Sequence, residues 1–185
     1  MIKRLLAVLT LLFFIPIALA SAANADSIYM QVTDIKGESK VRGYESWIEL
    51  NAFNFSVTKA VNNKGSGGGA GKANFNDIKI TKYMDLSSTA LLSNAATGKL
   101  IKSVVIDVVR DTGEDDYVVT KYTLSDVLVS SFNQAHSTGE DSETGVEEIT
   151  LNYSKIVVTY TPVQANGKPG AQTKFSWDIA ANRAL

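Results

Sequence analysis

The most conspicuous candidate for chemistry is a glycine-rich segment between two lysines. It comprises Lys64, Gly65, Gly67, Gly68, Gly69, Gly71 and Lys72. A phosphate-binding loop requires Gly, four residues and then Gly-Lys-Ser/Thr. Here Ser66 occupies the position of the first glycine, and Ala73 replaces the hydroxyl residue that would bind magnesium. The sequence therefore argues against nucleotide binding, and it leaves the segment as a flexible loop or as an arm that contacts a neighbouring subunit.

The side chains that could act as a nucleophile or a base give no catalytic arrangement. The chain has no cysteine, which excludes thiolate catalysis and thiolate metal sites. Its one histidine, His136, lies in a polar stretch between Ala135 and Ser137, whereas a Ser-His-Asp arrangement needs a positioned histidine. We therefore predict no catalytic residue, no cofactor and no enzymatic activity.

Two acidic clusters could in principle bind calcium through their oxygen atoms. They are Asp111 with Glu114 to Asp116, and Glu140 with Asp141 and Glu143. Neither has the spacing of a calcium-binding loop, and solvated acidic turns are common. No spacing singles out a carboxylate pair of the kind that hydrolyses glycosides either. We predict no metal site.

The N-terminus has the pattern of a secretory signal peptide. Lys3 and Arg4 precede an apolar run from Leu5 to Leu19, and Ala23-Asn24-Ala25 fits the small-x-small cleavage pattern. The run is too short for a membrane span, which needs about 20 residues. We expect residues 1–25 to be removed after Ala25, with Ala22 as the second choice. The mature protein would then be secreted or periplasmic, without contact to the membrane.

The remaining chain, residues 26–185, has the size of a single domain. Removing Lys3 and Arg4 takes two positive charges from a formal net charge of -1, which leaves -3. Acidic and basic residues are interspersed, without the basic stripe that nucleic-acid binding requires. We predict no nucleic-acid partner.

Most of this region alternates between apolar and polar residues, as β-strands do. The predicted strands are Ile28 to Val32, Trp47 to Val57, Phe75 to Tyr83, Leu100 to Arg110, Tyr117 to Leu128, Glu148 to Thr161 and Lys174 to Ile179. One short helix is predicted over Ala90 to Ala96, with Ser87 or Ser88 as its cap and Gly98 ending it in the left-handed conformation. Many strands with one helix predict an antiparallel barrel or sandwich.

Several sequence blocks resemble the Hcp (haemolysin-coregulated protein) family, which forms the tube of the type VI secretion system. The blocks are Lys36-Gly-Glu-Ser39, Gly67-Gly-Gly-Ala-Gly-Lys72, Ile80-Thr-Lys-Tyr-Met-Asp85, Ala96-Thr-Gly-Lys99, Leu124 to Ser131, Glu148 to Ile156, Ala165-Asn-Gly-Lys168 and Phe175-Ser-Trp-Asp178. They follow one another in the family's order from about Ile28 to the C-terminus. The resemblance implies a mainly β fold, an antiparallel β-barrel of two sheets with one short flanking α-helix.

The resemblance also implies a function. Family members form hexameric rings that stack into a tube, work with the other type VI secretion components, and hold effector proteins in the lumen. By resemblance, the segment from Val61 to Lys72 contacts an adjacent ring or subunit, and the strand that carries Ala52, Asn54 and Ser56 lines the lumen. Asn54 stands where some members have a serine that is important for holding cargo, and Phe53 and Phe55 keep the aromatic flanks.

One feature departs from the family pattern. Tube proteins of this family normally lack a signal peptide, assemble in the cytoplasm and leave through the secretion machine. A chain exported by the general route would be a periplasmic or extracellular ring, a secreted effector-like relative, or a tube protein with an unusual start. The rival interpretation is a monomeric exported β-domain that binds carbohydrate or peptide in a groove lined by Trp and Tyr.

Overall fold

The computed structural model describes residues 26–61, 70–111, 116–137, 145–164 and 166–185. Within these ranges the chain forms twelve strands and one helix. The strands are β1 (Asp26–Val32), β2 (Ile48–Leu50), β3 (Ala52–Asn54), β4 (Val57–Val61), β5 (Ala70–Phe75), β6 (Ile78–Tyr83), β7 (Ile101–Asp111), β8 (Asp116–Ala135), β9 (Val146–Asn152), β10 (Lys155–Tyr160), β11 (Thr173–Asp178) and β12 (Arg183–Ala184). The predicted signal peptide lies outside the described residues.

All strand pairs are antiparallel, and the long strand β8 belongs to two sheets. The first sheet has the order β12-β11-β10-β8-β7-β1-β2, and the second has the order β3-β6-β9-β8. β8 passes from one sheet to the other at Val127 and Leu128, because its pairing with β7 ends at Val127 and its pairing with β9 begins at Leu128. β4 and β5 pair only with each other and form a separate two-stranded sheet.

The predicted β-barrel is confirmed in part: the fold is mainly β with two sheets, but the described strands do not close into one barrel. The sheets share β8 on one side. On the other side the chain leaves β2 and enters β3 at Asn51, whose N–H donates to the carbonyl oxygen of Thr81 over 2.9 Å. β2 therefore pairs with β1 while β3 pairs with β6. This change of partner interrupts the hydrogen-bond ladder that a closed barrel would need.

One hydrophobic core is built from the inner faces of both sheets. Strand alternation produces it: on β6, Ile78 and Ile80 are fully buried while Lys79 between them is exposed. The core also includes Met30, Ile48, Ile106, Leu124, Ile149, Leu151 and Ile156. Burying each aliphatic side chain stabilises the fold by about 1.5–3 kcal/mol.

The helix α1 (Ser88–Thr97) packs against β8 through buried Leu91. Its predicted end is confirmed, because Gly98 has φ 65° and donates its N–H to the carbonyl oxygen of Asn94. Leu92, next to buried Leu91, is 48% exposed. Ser87 is the N-cap residue, but its hydroxyl donates to the Asp85 carboxylate instead of capping the helix. No helix among the described residues has the length and apolar character needed to cross a membrane.

Candidate functional site

Two of the three predicted lumen residues lie on the outer face of the second sheet. Ala52 and Asn54 are exposed on β3, while Phe53 between them packs against the core. Paired residues on antiparallel strands share a face, so the register extends this surface across β6, β9 and β8. We call it the polar face; it consists of Ala52, Asn54, Lys79, Thr81, Ser131, Asn133, Glu148 and Thr150.

The two charged residues of the polar face form an ion pair with each other. The Nζ of Lys79 lies 2.6 Å from a carboxylate oxygen of Glu148, and the two side chains are 50% and 47% exposed. The other members are small or uncharged.

The third predicted lumen residue, Ser56, does not extend this register. It lies beyond the end of β3 and is half-buried. Its hydroxyl accepts a hydrogen bond from the Asn76 amide over 2.9 Å, and its carbonyl oxygen accepts one from the Asn76 N–H over 3.1 Å. Ser56 therefore joins the second sheet to the hairpin that follows.

The structure describes only two residues of the predicted ring-contact segment, Gly71 and Lys72. Lys64, Gly65, Gly67, Gly68 and Gly69 lie outside the described residues. Gly71 and Lys72 are on β5, where a Cβ on Gly71 would lie only 3.1 Å from the carbonyl oxygen of Ala60. We call β4 and β5 the arm. Its Val57, Lys59 and Lys72 side chains are exposed.

An aromatic row holds the base of the arm. The Phe75 ring stacks on the rings of Phe175 and Trp177, with centroid distances of 6.3 and 5.9 Å. The Phe175 and Trp177 rings are nearly parallel, and their centroids are 6.2 Å apart. Phe175 is 45% exposed. The buried indole Nε1 of Trp177 has no hydrogen-bond partner. The sequence could not reveal this row, because Phe75 and the pair Phe175 and Trp177 come from strands far apart in the chain.

Sequence reasoning missed a buried charged cluster on the inner side of the same sheet. The Nζ of Lys82 lies 2.7 Å from both the Glu147 and the Asp85 carboxylates. It also donates to the carbonyl oxygen of Tyr83 and to the hydroxyl of Ser88. The cluster ties β6 and β9 to the start of α1. The alternation of side chains along β6 could have revealed it, because Lys82 lies on the same face of the strand as Ile78 and Ile80.

A second buried carboxylate lies on the outer side of the first sheet. Asp107 is 2% exposed, and one of its oxygens has no hydrogen-bond partner. Its other oxygen is 3.2 Å from the Lys121 Nζ and 3.5 Å from the Tyr44 hydroxyl. Burial raises the pKa of Asp107, against the lowering effect of Lys121. Burial and the neighbouring Asp107 raise the pKa of Tyr44 to about 12.

The lone histidine has no catalytic surroundings. His136 is exposed just after β8, and its ring packs so closely on Gly145 that a Cβ there would lie 2.5 Å from the imidazole Cε1. In the described part of the chain, no three His, Asp or Glu side chains form a group that could hold a metal ion. The polar face and the arm are the two surfaces that carry the described residues of the predicted sites.

Comparison with known proteins gives a consistent picture. The family model described as "Type VI secretion system effector, Hcp" matches residues 29–160. Protein hcp1 of Pseudomonas aeruginosa strain PAO1 is 34% identical over 160 residues, which cover 85% of this chain and 98% of that protein. The solved structure of a type six secretion system protein matches with a TM-score of 0.82 and 26% identity, covering 87% of this chain and 100% of that one. Hcp1 from Salmonella typhimurium has the same fold, with a TM-score of 0.71 and 22% identity over 87% and 99% of the two chains.

Proposed function

Because the chain belongs to the Hcp family of type VI secretion proteins, we propose that six copies of it close into a ring whose lumen holds effector proteins. The family consists of secreted, self-assembling structural proteins and is not a family of enzymes. The ring, its six-fold symmetry and its cargo are the parts that this proposal adds for the present chain.

The observation that carries the proposal is the arm. Among the described strands, β4 and β5 pair only with each other, and their Val57, Lys59 and Lys72 side chains are exposed. A two-stranded hairpin alone is at best marginally stable in water. A neighbouring copy would supply the surface that the arm lacks within its own fold. Rows of unpaired strand edges would also be covered when copies meet.

The polar face supports the assignment of a lumen. It is the outer side of a sheet whose inner side belongs to the core, and its Lys79–Glu148 pair leaves it without net charge. In the proposed ring this face points inward. Asn54, with its exposed amide, is then the residue that contacts cargo in place of the family's serine, and Ala52 lies beside it.

The test of the ring is the mass of the particle in solution. Size-exclusion chromatography with light scattering of residues 26–185 should give about six times the protomer mass at micromolar concentration. A strict monomer at high micromolar concentration would contradict the proposal. A hexamer that dissociates only on dilution would agree with it, since mass action governs assembly.

We also propose that the chain leaves the cytoplasm by the general export route. The basis is the sequence of residues 1–25, with Lys3 and Arg4 before the apolar run and Ala23-Asn24-Ala25 at its end. The intact mass of the protein recovered from the periplasm or medium tests this directly. A chain that begins at Asp26 is expected, a chain that begins at Ala23 would move the site, and a chain that keeps Met1 would contradict cleavage.

The aromatic row favours one alternative, a monomeric domain that binds carbohydrate or peptide. Its nearly parallel rings and the exposure of Phe175 could form a stacking platform for a sugar. A monomeric protein whose tryptophan fluorescence changes on adding oligosaccharide would support that alternative. The same titration on a hexamer, without a change, would reject it.

A further inference from the structure

The described part of the chain contains two methionine side chains of opposite exposure. The chain has three methionines, of which Met1 lies outside the described residues. Met30 is 0% exposed inside the core, whereas Met84, just after β6, is 40% exposed. A peroxide can oxidise a thioether only where it reaches the sulfur. One of the two methionines is therefore open to oxidation, and the other is shielded from it.

The sulfur of Met84 contacts one amide group. The Gln134 Nε2 donates a hydrogen bond to the Met84 Sδ over 3.0 Å, and the same nitrogen lies 3.3 Å from the Glu147 Oε1. An ionised carboxylate only accepts hydrogen bonds, so the contact with Glu147 fixes which end of the Gln134 amide is the nitrogen. The group that faces the sulfur is therefore an N–H donor.

This hydrogen bond makes the two lone pairs of the Met84 sulfur unequal. One lone pair accepts from Gln134, and the other accepts no hydrogen bond from any described residue. Oxidation adds an oxygen atom at a lone pair, and the sulfoxide that results is chiral at sulfur. Addition at the bonded lone pair must first break the Gln134 contact, whereas addition at the free one need not. The surroundings of Met84 therefore favour one epimer of the sulfoxide.

The position of Met84 is held by its backbone and not by burial of its side chain. Its N–H donates to the carbonyl oxygen of Gly145 over 2.8 Å. Its neighbours in the chain, Tyr83 and Leu86, are 54% and 63% exposed, so this part of the surface is rich in apolar side chains. A sulfoxide is polar where the thioether is apolar. Oxidation of Met84 therefore makes this surface more polar and leaves the core intact.

We propose that Met84 is a reversible oxidation site at which a peroxide produces mainly one sulfoxide epimer. The sulfur donates an electron pair to one oxygen of hydrogen peroxide, so that the S–O bond forms and the O–O bond breaks. The hydrogen of the transferred oxygen moves to the departing oxygen, which leaves as water. A sulfoxide reductase restores the thioether, as a dithiol is oxidised to a disulfide and the oxygen leaves as water. Met84 and Gln134 belong to one protomer, so the site does not depend on the proposed ring.

Treatment of the exported protein with hydrogen peroxide tests the site. Peptide masses after digestion should show an added oxygen at Met84 while Met30 is still a thioether, and Met30 should react only after unfolding in denaturant. The Met84→Leu variant should gain no oxygen between Asp26 and Leu185 under the same conditions. A Met84 that resists peroxide, or a Met30 that reacts as fast in the folded protein, would overturn the proposal.

The two classes of methionine sulfoxide reductase, each specific for one epimer, identify the product. Applied to peptides from the digested protein, both enzymes reach the sulfoxide equally. One class should reduce the Met84 sulfoxide with an excess of roughly fivefold over the other, the ratio that a hydrogen bond of about 1 kcal/mol gives. Met30 oxidised in the unfolded chain is the internal control and should require both classes. Equal reduction of the Met84 sulfoxide by both classes would contradict the preference for one epimer.

Two amide variants on β8 test whether Gln134 is the cause of the preference. Gln134→Ala removes the N–H donor, so its Met84 sulfoxide should be reduced to similar extents by both reductase classes. Asn133→Ala is the matched control, because Asn133 is the adjacent exposed amide on β8 and points to the opposite face of the sheet. A preference that survives in Gln134→Ala, or one that disappears in Asn133→Ala, would overturn the role given to Gln134.

Discussion

Strands β6 and β9 carry two lysine–glutamate pairs on opposite faces of the same sheet. On the inner face, Lys82 and Glu147 are 2.7 Å apart and both side chains are 0% exposed. On the outer face, Lys79 and Glu148 are 2.6 Å apart, with side chains 50% and 47% exposed. The residue types and distances nearly match. The comparison shows that burial, and not the distance, decides what an ion pair does in this protein.

The inner pair is part of a fully bonded cluster. Lys82 has bonds to two carboxylates, a carbonyl oxygen and the Ser88 hydroxyl, and Glu147 also accepts from Ser88 and from Gln134. Such a cluster fixes the start of α1 and the turn from Tyr83 to Asp85. The outer pair is half exposed, so it lies at the surface. The inner face of the second sheet thus maintains the fold, and the outer face is accessible.

The largest expected effect comes from breaking the inner pair. Lys82→Met leaves the Glu147 charge buried without its cation, which should lower the free energy of unfolding by about 3–5 kcal/mol. Chemical denaturation followed by circular dichroism would measure the loss. The double variant Lys82→Met/Glu147→Leu is the control and should recover most of it, because well-packed apolar side chains can replace a buried pair. A single variant within 1 kcal/mol of the unaltered protein would refute the role given to burial.

An intermediate effect is expected for Asp85, which is 14% exposed. Asp85→Asn removes the second carboxylate from Lys82 and weakens its hydrogen bonds to Ser87. Bonds to charged groups are worth about 1.5–3 kcal/mol, so we expect a loss of about 2 kcal/mol. The same denaturation experiment checks it. A loss as large as that of Lys82→Met would mean that Asp85, and not Glu147, is the main counter-ion.

A buried carboxylate without a buried cation provides a contrast to Glu147. Burial raises the pKa of Asp107, so the folded protein binds its proton more tightly than the unfolded chain does. Its contribution to stability is therefore greatest at low pH, and it is lost as pH rises from the unfolded value of 3.8 through the raised folded value. The Asp107→Asn substitution should remove this dependence of stability on pH.

At neutral pH the same Asp107→Asn variant should be more stable by about 1 kcal/mol, because a buried charge with an unpaired oxygen is replaced by a neutral group. Thermal melts between pH 4 and 7 compare the two proteins. The Glu147→Gln variant, in contrast, should be less stable than the unaltered protein between pH 4 and 7. If Asp107→Asn also loses stability at pH 7, its bonds to Lys121 and Tyr44 outweigh the cost of burial.

The smallest effect is expected on the outer face. Lys79→Gln breaks an exposed pair, which is worth at most about 1 kcal/mol. The melting temperature should barely change, at either low or high salt. Glu148→Gln serves as the matched partner variant. A loss comparable to that of Lys82→Met would show that the outer face is covered by another part of the protein.

Local patterns predicted much of this fold. Strand alternation predicted a strand from Phe75 to Tyr83, which contains β6, and Gly98 marked the end of α1. The sequence could not show that the predicted strand Trp47 to Val57 is interrupted at Asn51 and at Phe55 to Ser56. These breaks arise because β2, β3 and β4 pair with three different strands, which is a property of the whole fold.

The site was only partly predictable, for a similar reason. Alternation along the strand puts Ala52 and Asn54 on one face. On β6, the same alternation puts Lys82 on the face that carries Ile78 and Ile80. Its partner Glu147 is 65 positions away, and nothing local links the two. Likewise Phe75 meets Phe175 and Trp177 only because the arm folds back onto β11. Contacts that depend on long-range register require the structure.

The central claim is that the polar face lines the lumen of a six-membered ring. Asn54→Cys, labelled with a small gold cluster in the otherwise cysteine-free chain, allows electron microscopy to test both parts at once. We predict six-fold rings with gold density inside the central hole. Isolated protomers, or rings with the gold on their outer rim, would contradict the account.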